Sequence, residues 1–331
     1  MEQNNISLPV LVNPVYIQET KHDTDSSTTA FIEANTIKMT LKEIREDQII
    51  PVWLKSNEVL ISHDDFIQTT YDVISEIFSG EQILNPSIRV SHPLKGRIPE
   101  AKNKPANLLA GHERTICYER MMFCIDIPSI QSEIDGNVLN LTIGGVKSYG
   151  EDNLYNNSGA DQHFKLFIGF KNRVCTNLCL WSDGYAGNIV VRGLEQLHIM
   201  IHSLVKQYNS SHHLFHLRKL AEYSLTESQF AHVIGRSRMF HHLPNKLSQE
   251  IPELLLGENQ MSSVVKDYYS DKSFCRDTSG NINLWRVYNL LTGANKATYI
   301  DQFLHRGVNA YNFVEQIRWA LEGKSQSWYL Q

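Results

Sequence analysis

The stretch RTICYERMMFCIDI at residues 114–127, the link DGN at 135–137 and the stretch NVLNLTIGGVKS at 137–148 decide how this chain is read. Both long runs are rich in Ile, Val, Phe, Tyr and Thr with a period near two, the spacing at which side chains alternate across a strand. Gly136 tolerates the positive φ of a tight hairpin, so the two runs are expected to be antiparallel neighbours. Further runs of the same kind at 87–91, 162–171, 176–181 and 188–191 extend the sheet region over 87–191.

Helical signals flank this region. Thr40 followed by Glu43 reads as a capping box, and Ser62-His63-Asp64-Asp65 reads as a second helix start. Behind it Phe66, Thr70, Val73, Ile74, Ile77 and Phe78 share one helical face, and Gly80 supplies a left-handed stop. After Gly193 the period becomes helical, with segments at 194–208, 211–223, 227–238, 258–269, 283–291, 297–306 and 308–321, and a capping box at Thr226 and Gln229. Strands followed by helices, rather than alternating with them, predict an α+β fold: an antiparallel sheet in the N-terminal and middle half packed with a helical C-terminal half. Residues 1–35 are expected to form a flexible arm, because the polar run KHDTDSSTT at 21–29 cannot offset the cost of ordering it. Residues 36–192 would carry the sheet, and 193–331 the helices, either separately or as one continuous domain with the sheet.

A chain of 331 residues, 42% hydrophobic and 20% charged, is neither a low-complexity polymer nor a charged tail. Its five cysteines are odd in number, its opening lacks a basic leader, and no apolar run approaches 18 residues. The expectation is a reduced, cytoplasmic protein with no membrane span. A net charge of −5 excludes a surface that is basic throughout, but the charge is uneven. Residues 1–85 hold 14 acidic and 5 basic groups, residues 86–120 hold 3 and 7, and residues 171–246 hold 4 and 9.

The basic stretches are the most informative functional signal. Arg89, His92, Lys95, Arg97, Lys102, Lys104, Arg114 and Arg120 are interleaved with Tyr118 and Phe123, a mixture in which cations neutralise phosphates and rings offer stacking faces. If 114–127 is one strand, Arg114, Ile116, Tyr118, Arg120 and Met122 share a face. Lys171 and Arg173 beside Asn172, then Arg218, Lys219, Arg236 and Arg238 on the helices, would add the second stretch. The ordinary alternative is that these cations balance the acidic first 85 residues across a surface.

Three other constellations have a dull reading beside the chemical one. Cys175 and Cys179 would lie roughly 13 Å apart on a strand, too far for one metal ion, and are expected to be small buried apolar groups. His198 and His202 have the i,i+4 spacing of metal ligands, with His212, His213 and His216 following, but they edge an apolar stripe and lack an intervening Glu. Glu100 and Lys102 match half of a metal-dependent nuclease motif, in a Pro-flanked loop whose partner aspartate, Asp72 or Asp126, is ambiguous. Phosphate-loop, dinucleotide, serine-hydrolase and zinc-protease signatures do not occur, so no catalytic residue, metal ligand or cofactor is assigned.

The segments RVSHPLKGRIPEA (89–101), YER (118–120), LTIGG (141–145), FIGFKNRVCTNLC (167–179) and WRVYNLLTGANK (285–296) resemble an uncharacterised bacterial family, a domain of unknown function often encoded on plasmids, prophages and conjugative elements. That resemblance covers residues 85–310. A more distant one links the chain to the phage/plasmid-like protein family, through Arg173-Val174-Cys175-Thr176-Asn177 and the pair Trp285 and Asn289. Neither family carries an activity that could be transferred, so the resemblance implies a setting in mobile DNA. The function expected is a nucleic-acid-binding accessory protein of such an element, of the single-strand-binding or annealing type. The alternatives are a metal-dependent nuclease and a non-enzymatic protein that engages a host factor through its acidic arm and N-terminal helix.

Overall fold

The computed structural model describes residues 30–48, 60–152 and 161–331. In chain order the first half holds β1 (Ile37–Met39), α1 (Leu41–Asp47), α2 (His63–Ile77), β2 (Ser87–Val90), β3 (Pro93–Arg97), β4 (Arg114–Tyr118), β5 (Arg120–Ile134), β6 (Asn137–Ser148), β7 (Gln162–Asn172), β8 (Leu178–Cys179) and β9 (Tyr185–Val191). The second half holds α3 (Leu194–Gln207), α4 (Ser210–Ala221), β10 (Ser224–Leu225), α5 (Glu227–Phe240), α6 (Asn245–Ser248), α7 (Glu258–Ser270), β11 (Ile282–Asn283), α8 (Leu284–Asn295) and α9 (Ile300–Leu321). Seven strands form one sheet in the order β1-β2-β5-β6-β7-β8, with β9 also on β7 and every pairing antiparallel. The fold is α+β, as the order of sequence signals predicts.

Local chemistry accounts for most of the boundaries. Asp135 and Gly136 both take positive φ, 48° and 75°, and Ile134 pairs with Asn137, so the hairpin between β5 and β6 is the tight two-residue turn expected there. Thr40 with Glu43, Ser62 with Asp65 and Thr226 with Gln229 close reciprocal capping boxes on α1, α2 and α5. The sheet is covered on both faces. Met121, Phe123 and Ile125 of β5 enter the main core with Leu141 and Ile143 of β6 and Phe66 of α2, while Met122 and Cys124 face Phe303 and Leu304 of α9. Phe66 meets Phe123 and Phe164 edge-on at 5.1 and 4.8 Å, and it can do so because residue 145 is glycine: a Cβ there would lie 2.5 Å from its ring.

Four expectations need correction. The strand read as 114–127 breaks at Glu119, where the chain leaves β4 and enters β5. The strand read as 176–181 shrinks to Leu178–Cys179, because the Asn172 side chain accepts the amides of Val174 and Cys175 and turns the chain, with Thr176 at φ 57°. The helices read as 297–306 and 308–321 are one helix, α9, since Gly307 sits where a Cβ would press on Leu180 at 3.0 Å rather than at a break. Finally, Phe31 and Ile32, placed in the arm by the sequence, are buried against Met122 and Leu180. The rest of that arm, residues 1–29, lies outside the described residues.

Candidate nucleic-acid interface

β3 and β4 form a separate two-stranded ribbon in which Lys95 faces Ile116, Gly96 faces Thr115 and Arg97 faces Arg114. Its root is fixed in the core. Tyr118 is buried, at 8% exposure, and its carbonyl accepts the Nε2–H of His63 at 2.8 Å; Cys117 packs on Tyr149, whose ring stacks on His63 at 4.4 Å. Burial, reinforced by the Lys147 charge, drives the His63 pKa down to about 3, so the root is held by a neutral imidazole. The tip is also tied down. Lys104 donates to both Glu113 oxygens at 2.7 and 2.9 Å, the Ala110 amide donates to the same carboxylate at 2.7 Å, and Arg97 donates to the Lys104 carbonyl. Those donors, Lys104 first, hold the Glu113 carboxyl below its ordinary range.

The ribbon brings part of the expected set together. Lys95, Arg97 and Arg114 are exposed and share one ribbon face, and exposed Lys102 stands at the tip. Lys104, by contrast, is committed to Glu113. Arg97 and Arg114 lie directly across the ladder from one another, and like charges so placed repel.

The remaining expected residues do not join this face. The bend at Glu119 places Tyr118 in the main core with Met121 and Phe123, so its ring is unavailable for stacking as the chain is folded. Arg120 is half-buried between Glu119 at 3.8 Å and Asp301 at 3.9 Å. Arg89 donates to the Thr36 hydroxyl and carbonyl at 3.0 and 3.1 Å, and burial lowers its pKa. Lys171 is buried in an ion pair with Asp126, which also accepts the Thr142 hydroxyl at 2.7 Å. Arg173 is exposed, but its amide bonds Val138, ten residues along β6 from the Ser148 that faces Arg120. At about 3.3 Å per residue that is roughly 33 Å from the ribbon root, so Arg173 and the ribbon occupy opposite ends of the sheet. On the helices, Arg218 reaches Ser132, Lys219 pairs with Glu222, Arg236 caps the Trp328 carbonyl and Arg238 pairs with Glu258.

The other constellations resolve plainly. Among the described residues, no group of three or more His, Cys, Asp or Glu gathers as a ligand set. Asp126 is occupied by Lys171 and Thr142, Asp72 accepts the Gln68 side-chain amide at 2.9 Å on α2, and Glu100 stands exposed in the turn that follows β3. His198 and His202 lie 6.3 Å apart along the rim of a shallow groove of about 410 Å³ between α2 and α3. Two of the resembling motifs, 167–179 and 285–296, meet in the interior: Asn177 donates to the Asn289 carbonyl at 3.0 Å, Lys296 caps Cys175 and Thr176, and burial raises the thiol pKa of Cys175 and of Cys179. They are joints between the sheet and α8. The sequence reading missed β3, although Lys95-Gly96-Arg97 before Pro99 carried a strand-then-turn signal; the buried pair of Lys147 and Asp152, at 2.9 Å, left none.

Among the described residues, no helix is long and apolar enough to cross a membrane. No curated protein and no solved structure matches the chain. A family model described as "Domain of unknown function, B. Theta Gene description (DUF3871)" matches residues 14–330, nearly the whole length, and the chain belongs to that family.

Proposed function

We propose that this protein binds nucleic acid through its phosphate backbone, with the β3–β4 ribbon as the contact element. The observation that carries this reading is the facing pair of Arg97 and Arg114, exposed on a firmly rooted ribbon beside Lys95 and Lys102. A polyanion would turn their mutual repulsion into attraction. A two-stranded ribbon also has the cross-section that enters a duplex major groove. Tyr118 is the only Phe, Tyr or Trp in residues 93–118, and its burial takes stacking out of the ribbon's contribution. Charge neutralisation therefore supplies the affinity. The motifs at 89–101 and 285–296 support a role as an accessory protein of a plasmid, prophage or conjugative element, and five free cysteines support a reducing cytoplasm.

The test is a fluorescence anisotropy titration of a labelled single strand and of a labelled duplex with the wild type and a K95A/R97A/K102A/R114A variant at low salt. Binding to either form by the wild type, weakened at least tenfold in the variant, supports the proposal. Failure to bind both, or equal binding by both proteins, defeats it.

A further inference from the structure

The ribbon makes no use of the histidines of α4. His212 and His216 stand one turn apart, and their Nε2 atoms face each other at 3.2 Å. The ring of His216 is oriented from behind: Glu315 Oε1 lies 3.5 Å from its Nδ1, and Glu315 is itself buried and clamped by Arg318 at 2.6 and 2.8 Å. A carboxylate beside Nδ1 favours a proton on that nitrogen, which leaves the Nε2 lone pair pointing at His212. Trp181 lies against both rings, with centroids 5.0 and 5.6 Å away, and restricts their swing. His213, between them in sequence, is buried, with its ring 5.5 Å from Trp181 and its Nδ1 2.6 Å from the Tyr208 hydroxyl.

Two nitrogens each about 2.0–2.1 Å from one ion stand about 3.2 Å apart when the angle between them is near 100°. That is the spacing observed. We propose that His212 and His216 form an open, two-imidazole site for a divalent transition ion of the zinc and copper class, with Glu315 as the carboxylate that orients His216. The other coordination positions are open to solvent or to a donor from another molecule, since His212 is exposed and the His216 side chain is 25% exposed. Nitrogen-only ligation selects copper and zinc over magnesium and calcium, which require oxygen. The competing account is a plain imidazole–imidazole hydrogen bond, which requires no metal.

The two accounts separate in a titration of the chelator-treated full chain. The proposal predicts one saturable zinc equivalent by calorimetry, weakened at least tenfold in H212A and in H216A and unchanged in an H198A/H202A control, with no response to magnesium. It also predicts that copper bound to the wild type shows two nitrogen couplings by electron paramagnetic resonance, a readout that needs no variant to fold. No saturable zinc binding, binding that survives both H212A and H216A, or binding lost in the control pair overturns the proposal.

Discussion

At the scale of single residues, the account turns on whether a cation is free to act or already spent. Lys104, Lys171 and Arg120 have carboxylate partners in the fold; Arg97 and Arg114 face each other instead. Replacing Arg114 with Ala is therefore expected to weaken nucleic-acid binding while leaving the thermal midpoint unchanged or slightly raised, because it relieves a repulsion. A midpoint that falls by several degrees would mean the arginine serves the fold. His63 gives a second residue-level expectation. Its pKa falls from 6.5 to about 3 on folding, so between those values the unfolded chain holds more protons, and stability is complete above about pH 6.5 and lost as pH falls toward 3. The slope from one such group is at most about 1.4 kcal/mol per pH unit. Denaturant titrations from pH 7 to 4 should show a shallower loss in H63Q, whose amide can still donate to the Tyr118 carbonyl. An unchanged slope would show that His63 is not the group responsible.

At the scale of elements, signals confined to a few neighbouring residues were legible in the sequence. The capping boxes and the turn at Asp135 and Gly136 belong here, because the groups that satisfy them lie within three residues. The break at Glu119 was not legible: the alternation runs through it unbroken, and only the pairing of β4 with β3 and of β5 with β2 and β6 shows that the strand changes sheets. This break moved Tyr118 from the expected basic face into the core. The turn at 172–176 was hidden although its bonds are local, since the residue order does not say that the Asn172 side chain turns back onto the amides of Val174 and Cys175. Gly136→Ala should cost about 1–2 kcal/mol in equilibrium unfolding, as it forces a side chain into a left-handed position at φ 75°. Gly145→Ala should cost about as much or more, because its Cβ would meet the Lys165 carbonyl at 2.7 Å as well as the Phe66 ring. A neutral result at Gly145 would show that α2 does not press on the sheet as described.

At the scale of the whole molecule, the charge map read from the sequence was correct in amount and incomplete in position. The excess of basic groups at 86–120 and 171–246 is real, but folding carries Arg173 to the end of the sheet away from the ribbon and pairs Lys171, Arg192, Lys219 and Arg238 of the second stretch with carboxylates. The ribbon is a small cationic element on a protein of net charge −5, and its four exposed cations set the size of the effect. For a single strand, four neutralised phosphates give a slope of log K against log salt of about −2.8, or roughly a fifty-fold loss of affinity between 50 and 200 mM salt. Measuring that slope for the wild type and for K95A/R97A/K102A/R114A tests the central claim most directly. The account predicts a slope near −3 that collapses toward zero in the variant; affinity indifferent to salt, or a slope that the four substitutions leave intact, would contradict it.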